Sequence, residues 1–185
     1  MRSLSELPTG HLEWLRDRIH PSVYRLDGGD EEVATLAFLD DQQILARVEA
    51  AEGTWTLKHL GVLTPAVTVR TEGAKTNLAV FHPHALRHGK LRFEDGPSFD
   101  WVWLHDAGPG GAFLDADGLP LVRLRAHAGR DLNSVPGLER CEVDLGLRPT
   151  TRSRHALLAA LGWYLILFDT LKERDALAAE TALRL

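Results

Sequence analysis

Residues 156–168, near the C-terminal end, read Ala-Leu-Leu-Ala-Ala-Leu-Gly-Trp-Tyr-Leu-Ile-Leu-Phe: thirteen positions without a charge. They are apolar on every face of a helix apart from the Tyr164 hydroxyl, and a helix of that kind must be enclosed. Lipid and protein are the two enclosures available. At ~1.5 Å rise per residue the run spans about 20 Å, short of the roughly 30 Å of hydrocarbon that a bilayer presents. Arg148, Arg152, Arg154 and His155 precede it and Asp169 closes it, a basic flank that also suits a membrane anchor. Length decides for protein, so no transmembrane span is expected.

What surrounds such a helix is set by the preceding residues. Short runs rich in Val, Leu, Thr and aromatics occupy 23–26, 33–39, 44–50, 54–60, 66–71, 77–82, 90–94, 99–105, 112–115, 119–127 and 141–147. Several alternate with a period of two: Trp55 and Leu57 against Thr54, Thr56 and Lys58; Val67 and Val69 against Thr68 and Arg70; Leu91 and Phe93 against Lys90, Arg92 and Glu94. Glu94-Asp95-Gly96 and Asp115-Ala116-Asp117-Gly118 put Gly where a hairpin needs positive φ. No crossover-length helix separates these eleven runs, so the sheet is expected to be antiparallel. An open sheet of that size exposes long edges, and closure removes them. The bore of a barrel of about twelve strands is too wide for strand side chains alone to fill, and the apolar helix fills it.

The expected fold is therefore mainly β: one domain over 1–185, with a short N-terminal helix within 1–22, barrel strands over 23–147, a buried central helix at 153–169 and an amphipathic tail at 170–185. The N-terminal helix rests on Leu12, Leu15 and Ile19 at helical spacing beside Trp14, stopped by Pro21. The tail carries Leu171, Ala178 and Leu185 at heptad spacing, which suits a packed surface helix or an association element.

The order of these signals resembles the tubby-like barrel. It is carried by the many short strands, Trp55-Thr56-Leu57-Lys58, the Asp-Gly hairpins, Phe99-Asp100-Trp101, Asp115-Ala116-Asp117-Gly118, and the late apolar helix ending in Ile166-Leu167-Phe168-Asp169. The resemblance covers about residues 23–169 and implies a roughly twelve-stranded barrel threaded by a hydrophobic helix, in a superfamily with tubby domains, phospholipid scramblases and LURP-one-related proteins. Tubby domains bind phosphoinositide headgroups through Lys and Arg, and scramblase-like members attach to lipid near cysteine-rich segments. Neither feature transfers residue by residue to a chain with four lysines and one Cys.

Charge narrows the partners. With 21 Lys and Arg against 26 Asp and Glu, the formal charge is −5, which gives no global attraction for nucleic acid. The lone Cys141 has no partner for an intramolecular bridge and alternates onto one face with Val143 and Leu145, as a buried core thiol does. An acid at Glu6 with no apolar run behind it leaves no secretory signal at the start, so a cytoplasmic setting is expected, including the periphery of a membrane.

The candidate chemistry is sparse. His82-Pro83-His84, with His88 following, is the densest group of metal-ligating side chains, but Pro83 and Gly89 suggest a loop with solvated histidines, and no acid or Cys lies close in sequence. Asp115-x-Asp117-Gly118 begins like a calcium loop and then lacks the later ligands. Ser98 lacks a nucleophile elbow, and Gly108-Pro109-Gly110-Gly111 lacks the Lys-Ser/Thr of a phosphate loop. No cofactor is expected. Arg123, Arg125 and His127 share one strand face, and Lys90 and Arg92 share another; if those strands are neighbours, Lys90, Arg92, Arg123 and Arg125 form an anion-attracting patch for phosphate headgroups. Otherwise each face is solvated and paired across its ladder. The leading expectation is a non-enzymatic binding or scaffold module for an anionic phospholipid surface, another phosphate-bearing partner or a protein. The alternatives are a small metalloprotein or enzyme using His82, His84 and His88, and a carrier of an apolar ligand.

Overall fold

A computed structural model describes residues 1, 3–4, 11–61, 65–84, 88–104, 108–128, 138–146 and 154–182, with the backbone alone for 128, 173–179 and 181–182. Twelve strands precede one helix: β1 (Leu12–Arg16), β2 (Val23–Gly28), β3 (Glu31–Phe38), β4 (Leu45–Ala50), β5 (Gly53–Leu60), β6 (Ala66–Thr71), β7 (Ala79–His84), β8 (His88–Phe93), β9 (Ser98–Leu104), β10 (Gly110–Leu114), β11 (Pro120–Ala128), β12 (Leu138–Leu145) and α1 (His155–Ala182). Each strand pairs antiparallel with its sequence neighbours, and β1 pairs with β12 to close the ring. The molecule is a closed twelve-stranded antiparallel barrel around a C-terminal helix, as the alternation and the apolar run lead one to expect.

The expected N-terminal helix is not present over the described residues. The stretch that suggested it contains β1, whose Leu12 and Trp14 are 4% and 0% exposed while Ile19 is 81% exposed. Leu12, Leu15 and Ile19 fit a helical period, but Leu12 and Trp14 equally fit a period of two, and only the latter supplies the missing wall. Leu12 lies opposite Gly28 on one side and Val143 on the other. Without β1 the remaining eleven strands would leave two unpaired edges between β2 and β12. Residues 5–10 of that segment lie outside the described residues.

The inward faces follow the parity of the sequence: Trp55, Leu57, Val67, Val69, Leu91, Phe93, Cys141 and Val143 are all buried. Gly96 and Gly118 have φ of 112° and 76°, the left-handed backbone expected of their hairpin turns. Inside this wall α1 is buried without interruption from His155 to Leu167. A fully buried Leu contributes about 1.5–3 kcal/mol, and an enclosed helix collects that on every face. At Gly162 the helix and wall are close: a Cβ there would lie 2.6 Å from Leu124 Cδ1 and 3.1 Å from a Trp101 ring carbon.

Two anchors hold the helix along its axis. At its start the Arg154 guanidinium sits 4.2 Å over the Phe93 ring and pairs with Asp95 in the β8–β9 turn. Ten residues on, the Tyr164 hydroxyl donates to the Ile44 carbonyl at 2.8 Å, just before β4. The apolar run and the tail expected at 170–185 are not separate pieces, because α1 passes Asp169 without a break and continues to Ala182.

Candidate functional site

The helix lies off-centre in the bore. It runs closest to β10–β12 on one side and to β3–β5 on the other. Toward β1 and β2 the gap is filled by aromatics, with Trp163 edge-on to Tyr24 at 5.5 Å. Toward β6–β9, at the end where α1 leaves the barrel, the gap stays open as a cavity of about 320 Å³. The walls are apolar: Val67, Phe81 and Trp103 from the strands, Leu165 and Phe168 from the helix. Around the opening stand His59, His84, His88, Asp169 and Lys172.

Helical spacing explains the arrangement. Leu165, Phe168, Asp169 and Lys172 fall at i, i+3, i+4 and i+7, one stripe of α1. The stripe passes from a 6%-exposed Leu165 to an exposed Lys172 as the helix emerges. Phe168 is the pivot: His59 stacks on one side of it at 4.3 Å, and the Lys172 ammonium lies 4.5 Å over its ring. His59 reaches this place by strand parity, being the next inward position after Trp55 and Leu57 on β5. Partial burial, with Lys172 nearby as a second cause, lowers its pKa below the ordinary 6.5.

Of the sequence candidates, His84 and His88 belong to this opening and His82 does not line it. The expected loop is a hairpin, since His82, Pro83 and His84 belong to β7 and His88 to β8. His84 lies directly opposite His88, Pro83 opposite Gly89, and His82 opposite Lys90. Pro83 is tolerated there because the β6–β7 ladder has already ended at Val67 opposite Phe81. Among the described residues no group of three or more His, Cys, Asp or Glu is placed to hold a metal ion.

The two basic pairs do not join along adjacent strands. Lys90 and Arg92 are on β8, Arg123 and Arg125 on β11, and β9 and β10 run between them. Lys90 pairs with Asp100 at 3.0 Å, Arg125 with Asp144 at 2.7 Å, and His127 Nε2 lies 3.4 Å from Glu142. These are exposed cross-strand pairs of modest energy. Cys141 is fully buried, and burial pushes its thiol well above the ordinary range, which removes thiolate reactivity.

The residues that sequence reading missed are His59, Phe168 and Lys172 as a unit, with Trp103 facing them. The signal for His59 was the inward parity of β5. Nothing in the sequence showed that the helix would lean away from β6–β9 and leave this space. No family model, curated protein or solved structure matches the chain.

Proposed function

We propose that this protein is a non-enzymatic binding module of tubby-like type, whose ligand seat is the cavity where α1 leaves the barrel. The observation that carries the reading is the mixed lining of about 320 Å³ of open space between the helix and the barrel wall. Apolar walls with a few convergent polar groups are the usual form of a small-molecule site, and this volume sits at the small end of the ~300–1,000 Å³ range. The tubby-like assignment is supported by a twelve-stranded antiparallel ring around a buried apolar helix. A single thiol, unreactive by burial, suits a cytoplasmic setting.

The helix limits the carrier alternative without removing it. Residues 155–167 are buried in the bore, and the cavity offered to cargo lies beside Leu165 and Phe168. The test is a titration of the full chain with 1-octanol, followed by amide chemical shifts and by quenching of Trp103. Shifts confined to residues 59, 81, 103 and 168, and lost in a Val67→Phe variant that melts like the parent, are expected. Shifts scattered over the outer strands, or none, would refute the seat. In vesicle flotation with phosphoinositide, Arg123→Glu with Arg125→Glu is expected to change nothing; a loss of binding would move the ligand site to the outer wall of β11.

A further inference from the structure

We infer that the cavity selects small single-chain amphiphiles with an anionic head, carboxylate or phosphate, inserted apolar end first with the head held at Lys172. The inference rests on the seat proposed above and adds the polarity, size and orientation of what enters it.

Orientation comes from the helix stripe. Leu165 forms the buried end of the lining and Lys172 the exposed end, so polarity rises along one line from floor to opening. An apolar body therefore matches the inner space and a charge matches the outer one. The sign of that charge comes from the groups at the opening. Lys172 rests on the Phe168 ring and, among the described residues, has no carboxylate within 4 Å. His59, His84 and His88 line the same cavity, each able to donate a hydrogen bond, whereas Asp169, the one carboxylate of the lining among the described residues, is already engaged in an interaction of its own. A cation positioned on an aromatic ring, in a cavity that three imidazoles also line, favours an anion with several acceptor oxygens. Size comes from the volume: about 320 Å³ accepts one short chain and not a two-chain lipid.

The shared chemistry has two sources, a free amphiphile or a lipid presented by a bilayer, and the experiment separates them. Octanoate, octyl phosphate, 1-octanol and octylammonium are titrated calorimetrically into the full chain, its Lys172→Gln variant and its Lys172→Arg variant. The two anions are expected to bind about tenfold tighter than octanol, the scale of one charge-assisted contact discounted for exposure. Lys172→Gln should bring them to the octanol level while leaving octanol unchanged, and Lys172→Arg should keep the preference. Octanol binding as tightly as octanoate would overturn the anion selectivity while leaving the seat standing; failure of every probe would refute the seat itself. A preference for octylammonium would reverse the assignment of sign. Pelleting with phosphatidylcholine vesicles that carry single-chain lysophosphatidate, lost in Lys172→Gln, would assign the source to bilayer lipid, and octanoate binding without pelleting would assign it to the free monomer.

Discussion

The two halves of α1 share one unbroken backbone and face different surroundings. From His155 to Leu167 every residue is buried, and at Gly162 the wall comes close enough for a Cβ to meet Leu124 and Trp101. From Phe168 to Lys172 exposure rises, charges appear, and the same helical stripe that packed the core lines a cavity. A helix can thus be a core element and a site element in turn, with no change of secondary structure marking the passage. The change is one of lateral distance from the wall, which opens toward β6–β9.

The largest test of that contrast places one negative charge in each half. Leu161 is 0% exposed, and Leu161→Asp strands a charge in the core, at a cost of roughly 3–5 kcal/mol or more. Loss of the folded state by circular dichroism is expected. Lys172→Asp, at an exposed position, should move stability by no more than about 0.5 kcal/mol. Equal effects would show that the two halves do not differ.

Next in size is Gly162→Val. The near contacts to Leu124 and Trp101 leave no room for a side chain, and overpacking of this kind costs roughly 1–3 kcal/mol. A thermal melt should register it as a midpoint lowered by about 2–4 °C per kcal/mol for a chain of this length. An unchanged midpoint would mean that the helix can shift toward the open side of the bore.

Tyr164→Phe is expected to cost about 1 kcal/mol, because the Ile44 carbonyl loses one of two donors within a partly buried contact and keeps the His59 N–H at 2.8 Å. The ring packing against Phe38 remains, so a larger loss would show that the hydroxyl fixes the axial position of the helix.

The smallest effect concerns pH at the opening. His59 has a folded-state pKa below its unfolded value of about 6.5, so the unfolded chain binds the proton more readily. Stability from this group is complete above pH 6.5 and declines as pH falls through that value toward the lowered one. His59→Phe should flatten that acid-side decline, read from denaturation midpoints between pH 7 and 5, while keeping the stack on Phe168. An unaltered slope would mean that His59 is not sensing the partly buried edge of the cavity.

Much of the wall was legible because period-two alternation is a local property, visible in Trp55-Thr56-Leu57-Lys58 without any partner strand. The central helix was legible for a similar reason, since thirteen uncharged residues must be covered wherever they lie. β1 was not, because Leu12 and Trp14 fit two periods and the choice between them depends on the edges of β2 and β12, far away in the chain. His84 and His88 were singled out for a different chemistry, as a loop, because Pro83 reads locally as a strand breaker and the end of the β6–β7 ladder cannot be seen from it. The cavity itself is a difference between two shapes, the bore and the helix, and no single stretch of residues encodes a difference.

Closure of the ring by β1 and β12 has a consequence for how the chain comes into being. Leu12 must find Val143 from the opposite end of the run of strands, a contact of high sequence separation, and such contacts slow folding because the loop-closure entropy precedes their reward. The segment that fills the bore is synthesised after all twelve strands of the wall. While β1 to β12 leave the ribosome, their inward apolar rows have nothing to enclose, so the wall and the helix have to consolidate together in one late event rather than strand by strand. A ribosome-stalled chain ending before α1 would then be the species most in need of a chaperone.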